Sequence, residues 1–190
     1  NYEITSYTDY VDPKIGSGGH GHVFVGANVP FGMVQLGPTS IPQEWDWCSG
    51  YHDSDSTVIG FSHTHLSGTG IGDLFDITVM PVVGEVTYGR GREEDPSTGM
   101  WSYADRSREV ARPGYYSVPL TRYGITAEMT ATNRVGMHRY TFPQSEEAGI
   151  VINLMNGGCW DRPMDAQIER VDPQTGEPDP NGQALRGYRY

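Results

Sequence analysis

The 190-residue chain carries a net charge of −11, and Lys14 is the one lysine among its 13 basic residues. This negative balance argues against binding to nucleic acid or to an anionic membrane surface, and no apolar run approaches the roughly 18 residues of a membrane span. The length suits a single domain with a buried core, so we expect residues 1–190 to form one domain.

Alternating apolar and polar residues predict β-strands along much of the chain. The clearest alternation runs from Gly124 to Thr132, and turns at 123–124 and 133–134 connect it to strands on either side. These three strands predict an antiparallel meander. In chain order, the predicted strands are Val23–Ala27, Met33–Gly37, Thr57–Ser62, Asp76–Val83, Tyr115–Arg122, Gly124–Thr132, Val135–Phe142 and Gly149–Met155.

Three further features complete the predicted fold. Gly149–Met155 is apolar at nearly every position, which predicts a central strand covered on both faces. Tyr88–Arg112 is dense in charge and Asp172–Gly182 is rich in Pro, Gly and Asp, so both are predicted to be loops. No convincing amphipathic helix of roughly ten residues or more is present. The sequence therefore predicts an all-β protein, and we favour an antiparallel β-sandwich over a barrel.

The stretch from Trp45 to Gly72 combines aromatic, imidazole, carboxylate and glycine residues in an unusual density. Such a mixture is poor material for a hydrophobic core, because most of its side chains need polar partners. It is better suited to lining a concave polar site.

Two H-x-H pairs offer candidate metal ligands, His20 with His22 and His63 with His65. Alternate residues of a strand point to the same side, so either pair could give two nitrogens to zinc or iron. Neither pair is followed by the Glu that a cupin-like site would require. Hydrogen bonding inside a polar loop cluster is therefore favoured, and a transition-metal site is the alternative.

Gly16, Gly18 and Gly21 match the pattern G-x-G-x-x-G. The segment that follows is strand-like and contains Pro30, whereas a dinucleotide site requires a helix N-terminus there. A tight turn is the favoured interpretation of these glycines.

Carboxylates give no complete catalytic pair or calcium loop. The candidates for acid/base catalysis lie in charged loops, where no burial would raise a pKa. The other acidic residues near the histidines have spacings that fit no EF-hand and are typical of turns. The acid/base candidates are Glu93, Glu94, Asp95, Glu146 and Glu147. The acidic residues near the histidines are Asp53, Asp55, Asp73 and Asp76.

Three long blocks of unusual composition occur in order along the chain. They are DPKIGSGGHGHVFVGANVPFGMVQLGP (Asp12–Pro38), WDWCSGYHDSDSTVIGFSHTHLSGTGIGD (Trp45–Asp73) and ARPGYYSVPLTRYGITAEMTATNRVGMHRYTFP (Ala111–Pro143). Together they resemble the N-terminal domain of glycoside hydrolase family 92, a family of exo-acting α-mannosidases.

The resemblance implies a calcium-dependent, inverting enzyme that removes terminal mannose from N-glycans. It also implies export by bacteria, so the expected location is periplasmic, cell-surface or secreted. In the family a helical barrel follows the β-sandwich and carries the general acid, the water-activating Asp residues and most calcium ligands. Because 190 residues cannot contain that domain, we expect this chain to be a fragment with no catalytic residue and no bound metal. Alone, it is expected to be inactive.

The resemblance also assigns substrate-binding residues. It places Trp45 against the sugar ring with Asp46 beside it, and it makes Gly26 a backbone contact to the terminal sugar. Trp45 and Trp47 are two residues apart, so they could share a side and divide the roles of sugar platform and core anchor. The histidines of the H-x-H pairs are expected to shape loops and the seam between domains.

Other functions stay open at this point. A free-standing carbohydrate-binding module would present Trp45 and Trp47 together as a platform, and an H-x-H metalloenzyme is a weaker third possibility. If a helical domain normally docks on this chain, its docking face should be uncovered. We therefore expect an exposed apolar patch or self-association.

Overall fold

Backbone hydrogen bonding organises residues 6–154 and 163–190, the part of the chain that the computed structural model describes, into strands and three 3₁₀ turns. The turns are Tyr7–Tyr10, Trp45–Trp47 and Arg106–Arg108. None of the helical segments in these residues is long and apolar enough to cross a membrane. The strands are β1 (Ala27–Asn28), β2 (Gln35–Thr39), β3 (Thr57–Val58), β4 (Gly60–Ser62), β5 (Thr78–Val83), β6 (Arg90–Arg92), β7 (Asp95–Gly99), β8 (Ser102–Tyr103), β9 (Val110–Arg112), β10 (Tyr115–Leu120), β11 (Ile125–Ala131), β12 (Gly136–Thr141), β13 (Ala148–Asn153), β14 (Ala166–Val171) and β15 (Ala184–Arg189).

Two antiparallel sheets form the body of the domain. The larger has the strand order β1-β2-β4-β5-β13, and the smaller has the order β12-β11-β10-β9. Three two-stranded ribbons, β3-β8, β6-β7 and β14-β15, complete the described strands. The meander predicted over β10, β11 and β12 is confirmed, and so is the all-β antiparallel sandwich.

The core lies between the two sheets. On β11 the side chains of Ile125, Ala127 and Met129 are fully buried, as the alternation predicts. They pack in one cluster with Leu36 of β2 and Phe61 of β4, which belong to the larger sheet. Each large apolar side chain buried in this way contributes about 1.5–3 kcal/mol.

The prediction that Gly149–Met155 is a central strand is wrong. Within the described residues β13 is the last strand of the larger sheet, because it pairs with β5 alone. The side chain of Ile150 is 56% exposed. The apolar residues Val151, Ile152 and Leu154 line an open concavity shared with β14, so the apolar run faces a partly open space. The last residue of the predicted strand, Met155, lies outside the described residues.

The prediction that Tyr88–Arg112 is a loop is also wrong. This segment forms β6 to β9, and Trp101 within it is buried in a small cluster with Ile41 and Ile59. The sequence does not predict these short strands, because each has too few apolar residues to show a period of two among the charged residues. The second predicted loop, Asp172–Gly182, is confirmed as the connection between β14 and β15.

A buried charge cluster is centred on Glu109, near the end of the segment Tyr88–Arg112. The carboxylate of Glu109 is fully buried and pairs with Lys14 and with the guanidinium of Arg106, at 2.5 Å from Nη1. The hydroxyls of Tyr116 and Tyr51 donate to the same carboxylate at 2.5 and 3.1 Å. Glu109 therefore links the N-terminal segment to β10 of the smaller sheet and to the loop that precedes β3, through a fully paired carboxylate.

Candidate functional site

The glycine-rich loop of residues 16–22 positions two histidines. Gly16 has φ +88°, and a Cβ at Gly21 would lie 1.8 Å from the carbonyl oxygen of Gly16. Only glycine at position 21 allows this close approach of the two backbone segments. The loop is therefore a tight turn, as predicted, and it carries His20 and His22 on its second half.

The 3₁₀ turn Trp45–Trp47 separates its two tryptophans. Successive residues of a 3₁₀ helix are rotated by about 120°, so residues two apart do not share a side. The indole of Trp45 is 51% exposed and donates its N–H to the carbonyl of Gly70 at 2.6 Å. Trp47 instead stacks on His52 and donates to Asp55 Oδ2 at 2.7 Å. The expectation that the two indoles share a side is wrong.

Asp46 lies between the two tryptophans and joins the turn to the glycine-rich loop. Its Oδ1 lies 2.8 Å from Nδ1 of His20 and 2.9 Å from Nε2 of His22. Hydrogen bonds from His20 and then from His22 lower the pKa of the Asp46 carboxyl below its usual value. The ring of Trp45 meets His22 edge-on, with 4.3 Å between ring centroids. Trp45, Asp46, His20 and His22 thus form one cluster, which we call the tryptophan–histidine cluster.

The backbone at His22 is held in an unusual conformation. Its φ is +55°, which is uncommon for a residue with a side chain. The carbonyl of His22 accepts hydrogen bonds from the Ser49 hydroxyl and from the Gly68 N–H. Three segments distant in sequence therefore meet at this one residue and fix its ring beneath Trp45.

Gly26 lies apart from the surface of the cluster. It is buried, and it lines a concavity of about 410 Å³ whose other walls include Thr8, Pro30 and Pro113. Neither Trp45 nor Asp46 lines that concavity. The structure gives Gly26 a packing role against β2, and its predicted backbone contact to sugar stays a prediction.

The second H-x-H pair is not gathered into one site. His65 is buried between the rings of Phe24 and Phe75, and its Nδ1 lies 3.2 Å from Asp73 Oδ2. His63 turns to His138 of β12 instead, with 3.0 Å between the two Nε2 atoms. Because these imidazoles have different partners, they do not form a shared pair of metal ligands.

The contacts around His63 define the proton positions along a short chain. Nδ1 of His63 donates to the carbonyl of Ile77 at 2.7 Å, so its Nε2 accepts from Nε2 of His138. Nδ1 of His138 then accepts from the hydroxyl of Tyr140 at 2.7 Å. Burial, followed by the proximity of His63, lowers the pKa of His138 to about 4, and burial also lowers the pKa of His63.

This neutral pair predicts a loss of stability in mild acid. The unfolded chain binds protons below the ordinary histidine pKa of 6.5, whereas the folded pair does not. The contribution of this pair to the free energy of unfolding is therefore fully present above that value, and it declines as the pH falls toward 4. Wild type is expected to lose free energy of unfolding between about pH 7 and about pH 5. In His138→Gln we expect this loss to be smaller by about 1 kcal/mol, a modest effect because both rings are partly exposed.

Urea unfolding at both pH values measures this difference, with His52→Gln as the control, because His52 lies outside the pair. An equal decline in wild type and His138→Gln would contradict the assignment.

The fold and the cluster define a β-sandwich domain with a polar, aromatic-edged site built from its connecting loops. Residues 10–188 match the Glycosyl hydrolase family 92 N-terminal domain, and the chain belongs to this family. The predicted resemblance is confirmed by this match.

Solved structures of the family share the fold. A family 92 α-mannosidase of Bacteroides thetaiotaomicron in complex with mannoimidazole is 40% identical with a TM-score of 0.85, over 96% of this chain and 23% of that one. An inverting family 92 mannosidase from Bacteroides thetaiotaomicron VPI-5482 is 26% identical with a TM-score of 0.65, over 80% of this chain and 20% of that one.

A curated relative extends the comparison to another organism. An uncharacterized secreted glycosidase of Arthroderma benhamiae is 32% identical over 142 residues, which are 72% of this chain and 17% of that protein. The chain therefore spans less than a quarter of the length of each relative described.

Proposed function

We propose that this chain is the N-terminal β-sandwich of an exo-acting, inverting α-mannosidase and that it supplies one wall of the subsite for terminal mannose of N-glycans. Family membership and the similarity to two mannosidase structures support the proposal. Similarity to a secreted glycosidase supports export of the protein. A periplasmic, cell-surface or secreted location in a bacterium is part of the proposal. The observation that carries the proposal is the fixed, half-exposed indole of Trp45.

Trp45 has the properties of a sugar platform. Its N–H is bound to Gly70, and its ring rests on His22, so the indole is held in place before any ligand arrives. A flat apolar face suits the C–H face of a pyranose. Beside it, Asp46 uses Oδ1 for both imidazoles, and its Oδ2 is the oxygen proposed to accept a sugar hydroxyl.

The catalytic carboxyls and the calcium ion are proposed to belong to a helical partner domain. Inverting hydrolysis requires two carboxyls about 6.5–9.5 Å apart, one of them protonated. Calcium prefers about six to eight oxygen ligands. Among the described residues, the one group of three ligand-bearing side chains is His20, His22 and Asp46, and its two imidazole nitrogens do not suit calcium.

A docking surface for that domain is proposed at one end of the sandwich. The turns at residues 29–33 and 132–135 are joined by a hydrogen bond from Met33 N–H to the Asn133 carbonyl at 2.8 Å. Exposed apolar side chains surround this junction, namely Phe31, Met33, Val135 and Met137. An uncovered surface of this kind supports association with a partner, and self-association of the isolated chain stays a prediction.

The alternative of a free-standing sugar-binding module requires both tryptophans as a platform. Trp47 is committed to His52 and Asp55 on another side of the turn. The geometry therefore favours a single indole working with a neighbouring domain.

The test is substitution of Trp45 in the longer protein that contains this chain. We expect Trp45→Ala to lower kcat/KM for α-1,2-mannobiose about 100-fold, since aromatic stacking and ring positioning contribute on the order of 3 kcal/mol. Trp45→Phe keeps a flat ring and should retain most activity. The 190-residue chain alone should release no mannose. Mannose release by that chain, or unchanged kcat/KM in Trp45→Ala, would refute the proposal.

A further inference from the structure

We propose that His20, His22 and Asp46 bind a divalent transition-metal ion of the zinc type. Their ligand atoms, Nδ1, Nε2 and Oδ1, all lie within 4.8 Å of one another. The sequence argument lacked a carboxylate for the H-x-H pair, and the fold supplies one from the Trp45–Trp47 turn. This inference does not depend on sugar binding.

The distances are close to those of a tetrahedral site. Zinc lies about 2.0–2.2 Å from nitrogen and oxygen ligands, which places neighbouring ligand atoms about 3.3 Å apart. The present separations from Asp46 Oδ1 are 2.8 Å to His20 and 2.9 Å to His22. Lengthening both separations by about half an ångström would admit the ion at tetrahedral distances. The side chain of His20 is 79% exposed and is free to make its part of this movement.

The donor set selects the kind of metal. Two imidazoles with one carboxylate suit zinc or ferrous iron, whereas calcium and magnesium prefer oxygen. Three protein ligands leave a fourth position open, as in catalytic rather than structural zinc sites. That position would open to solvent on the side of His20, beside the half-exposed indole of Trp45, and would take water or a ligand hydroxyl.

Two of the three ligands are positioned in advance. The His22 side chain is 6% exposed, and hydrogen bonds from Ser49 and Gly68 to its carbonyl hold its backbone at φ +55°. Asp46 is fixed on a 3₁₀ turn whose Cys48 N–H returns to the Trp45 carbonyl. Only His20 has to be ordered on binding, which keeps the entropic cost small.

Zinc titration of the untagged, chelator-treated chain tests the proposal. We expect one zinc per chain by calorimetry, a rise in melting temperature with zinc, and a tetrahedral absorption spectrum when cobalt replaces zinc. His20→Ala and Asp46→Asn should each weaken zinc binding about 100-fold or more, since loss of a ligand exceeds the loss of an outer-shell partner. His20 is exposed, so His20→Ala should fold normally without metal.

His63→Ala is the matched control, because His63 and His138 form a close imidazole pair without a carboxylate. Zinc binding should be unchanged in this variant. Absence of zinc binding at about 100 micromolar zinc, undiminished binding in folded His20→Ala and Asp46→Asn, or loss of binding in His63→Ala would each overturn the proposal.

Discussion

Glu109→Gln is expected to lower the free energy of unfolding by about 3–5 kcal/mol, because it leaves the largely buried guanidinium of Arg106 and the partly exposed ammonium of Lys14 without their shared partner. The side chain of Glu109 is fully buried and pairs with Lys14 and Arg106. The hydroxyls of Tyr51 and Tyr116 also lose their charged acceptor. Urea unfolding at neutral pH measures the loss.

The same carboxylate gives stability a pH dependence. Burial raises the pKa of Glu109, but Arg106 and Lys14 outweigh it, and the pKa is lowered. Its contribution is therefore present above the ordinary glutamate pKa and is lost as the pH falls through the lowered value. Glu128→Gln is the matched control, since Glu128 pairs with the exposed Arg139 and its substitution should lower the free energy of unfolding far less. Equal losses in the two variants would contradict the buried-cluster argument.

Gly26→Ala is expected to destabilise the sandwich by about 3 kcal/mol, since the added methyl group has no space. A Cβ at Gly26 would lie 2.2 Å from the carbonyl oxygen of Leu36 and 2.7 Å from the Cα of Gly37. These are backbone atoms of β2, so relief would require β1 and β2 to separate. Gly149→Ala is the control, because its nearest neighbour, Val82 Cγ2, is 3.7 Å away.

This pair of variants also separates packing from substrate contact at Gly26. If the residue acts through packing, the melting temperature of Gly26→Ala falls well below that of Gly149→Ala. An unchanged melting temperature, combined with weaker mannoside binding by the proposed two-domain mannosidase, would instead assign Gly26 to the sugar subsite.

The sequence predicts strands correctly where one face of the strand is buried and the other faces solvent, because the side chains then alternate between apolar and polar. The alternation on β11 identifies the buried residues Ile125, Ala127 and Met129 individually. Over Gly149–Met155 the sequence has no alternation, so it cannot tell a strand covered on both faces from an edge strand beside an open concavity. In Tyr88–Arg112 the strands are too short to show a period, and its large buried apolar residues are the adjacent Met100 and Trp101.

The sequence selects the four residues of the tryptophan–histidine cluster, but it does not predict that they meet in one site. Trp45 and Asp46 were selected through the family resemblance, and His20 and His22 through their spacing. That Asp46 joins these two histidines depends on how two loops meet in the folded chain, which no local pattern encodes. Glu109 was missed for the same reason, since its cationic partner Lys14 lies far away in sequence.

The carbonyl of His22 has a consequence for how the domain is assembled. It accepts from Ser49, 27 residues later, and from Gly68, still further along the chain. Closing such loops costs entropy that local contacts do not offset, so we expect these bonds to form after the surrounding strands are in register. The tryptophan–histidine cluster is then expected to form late in folding, and its intact geometry would report that a chain has folded correctly.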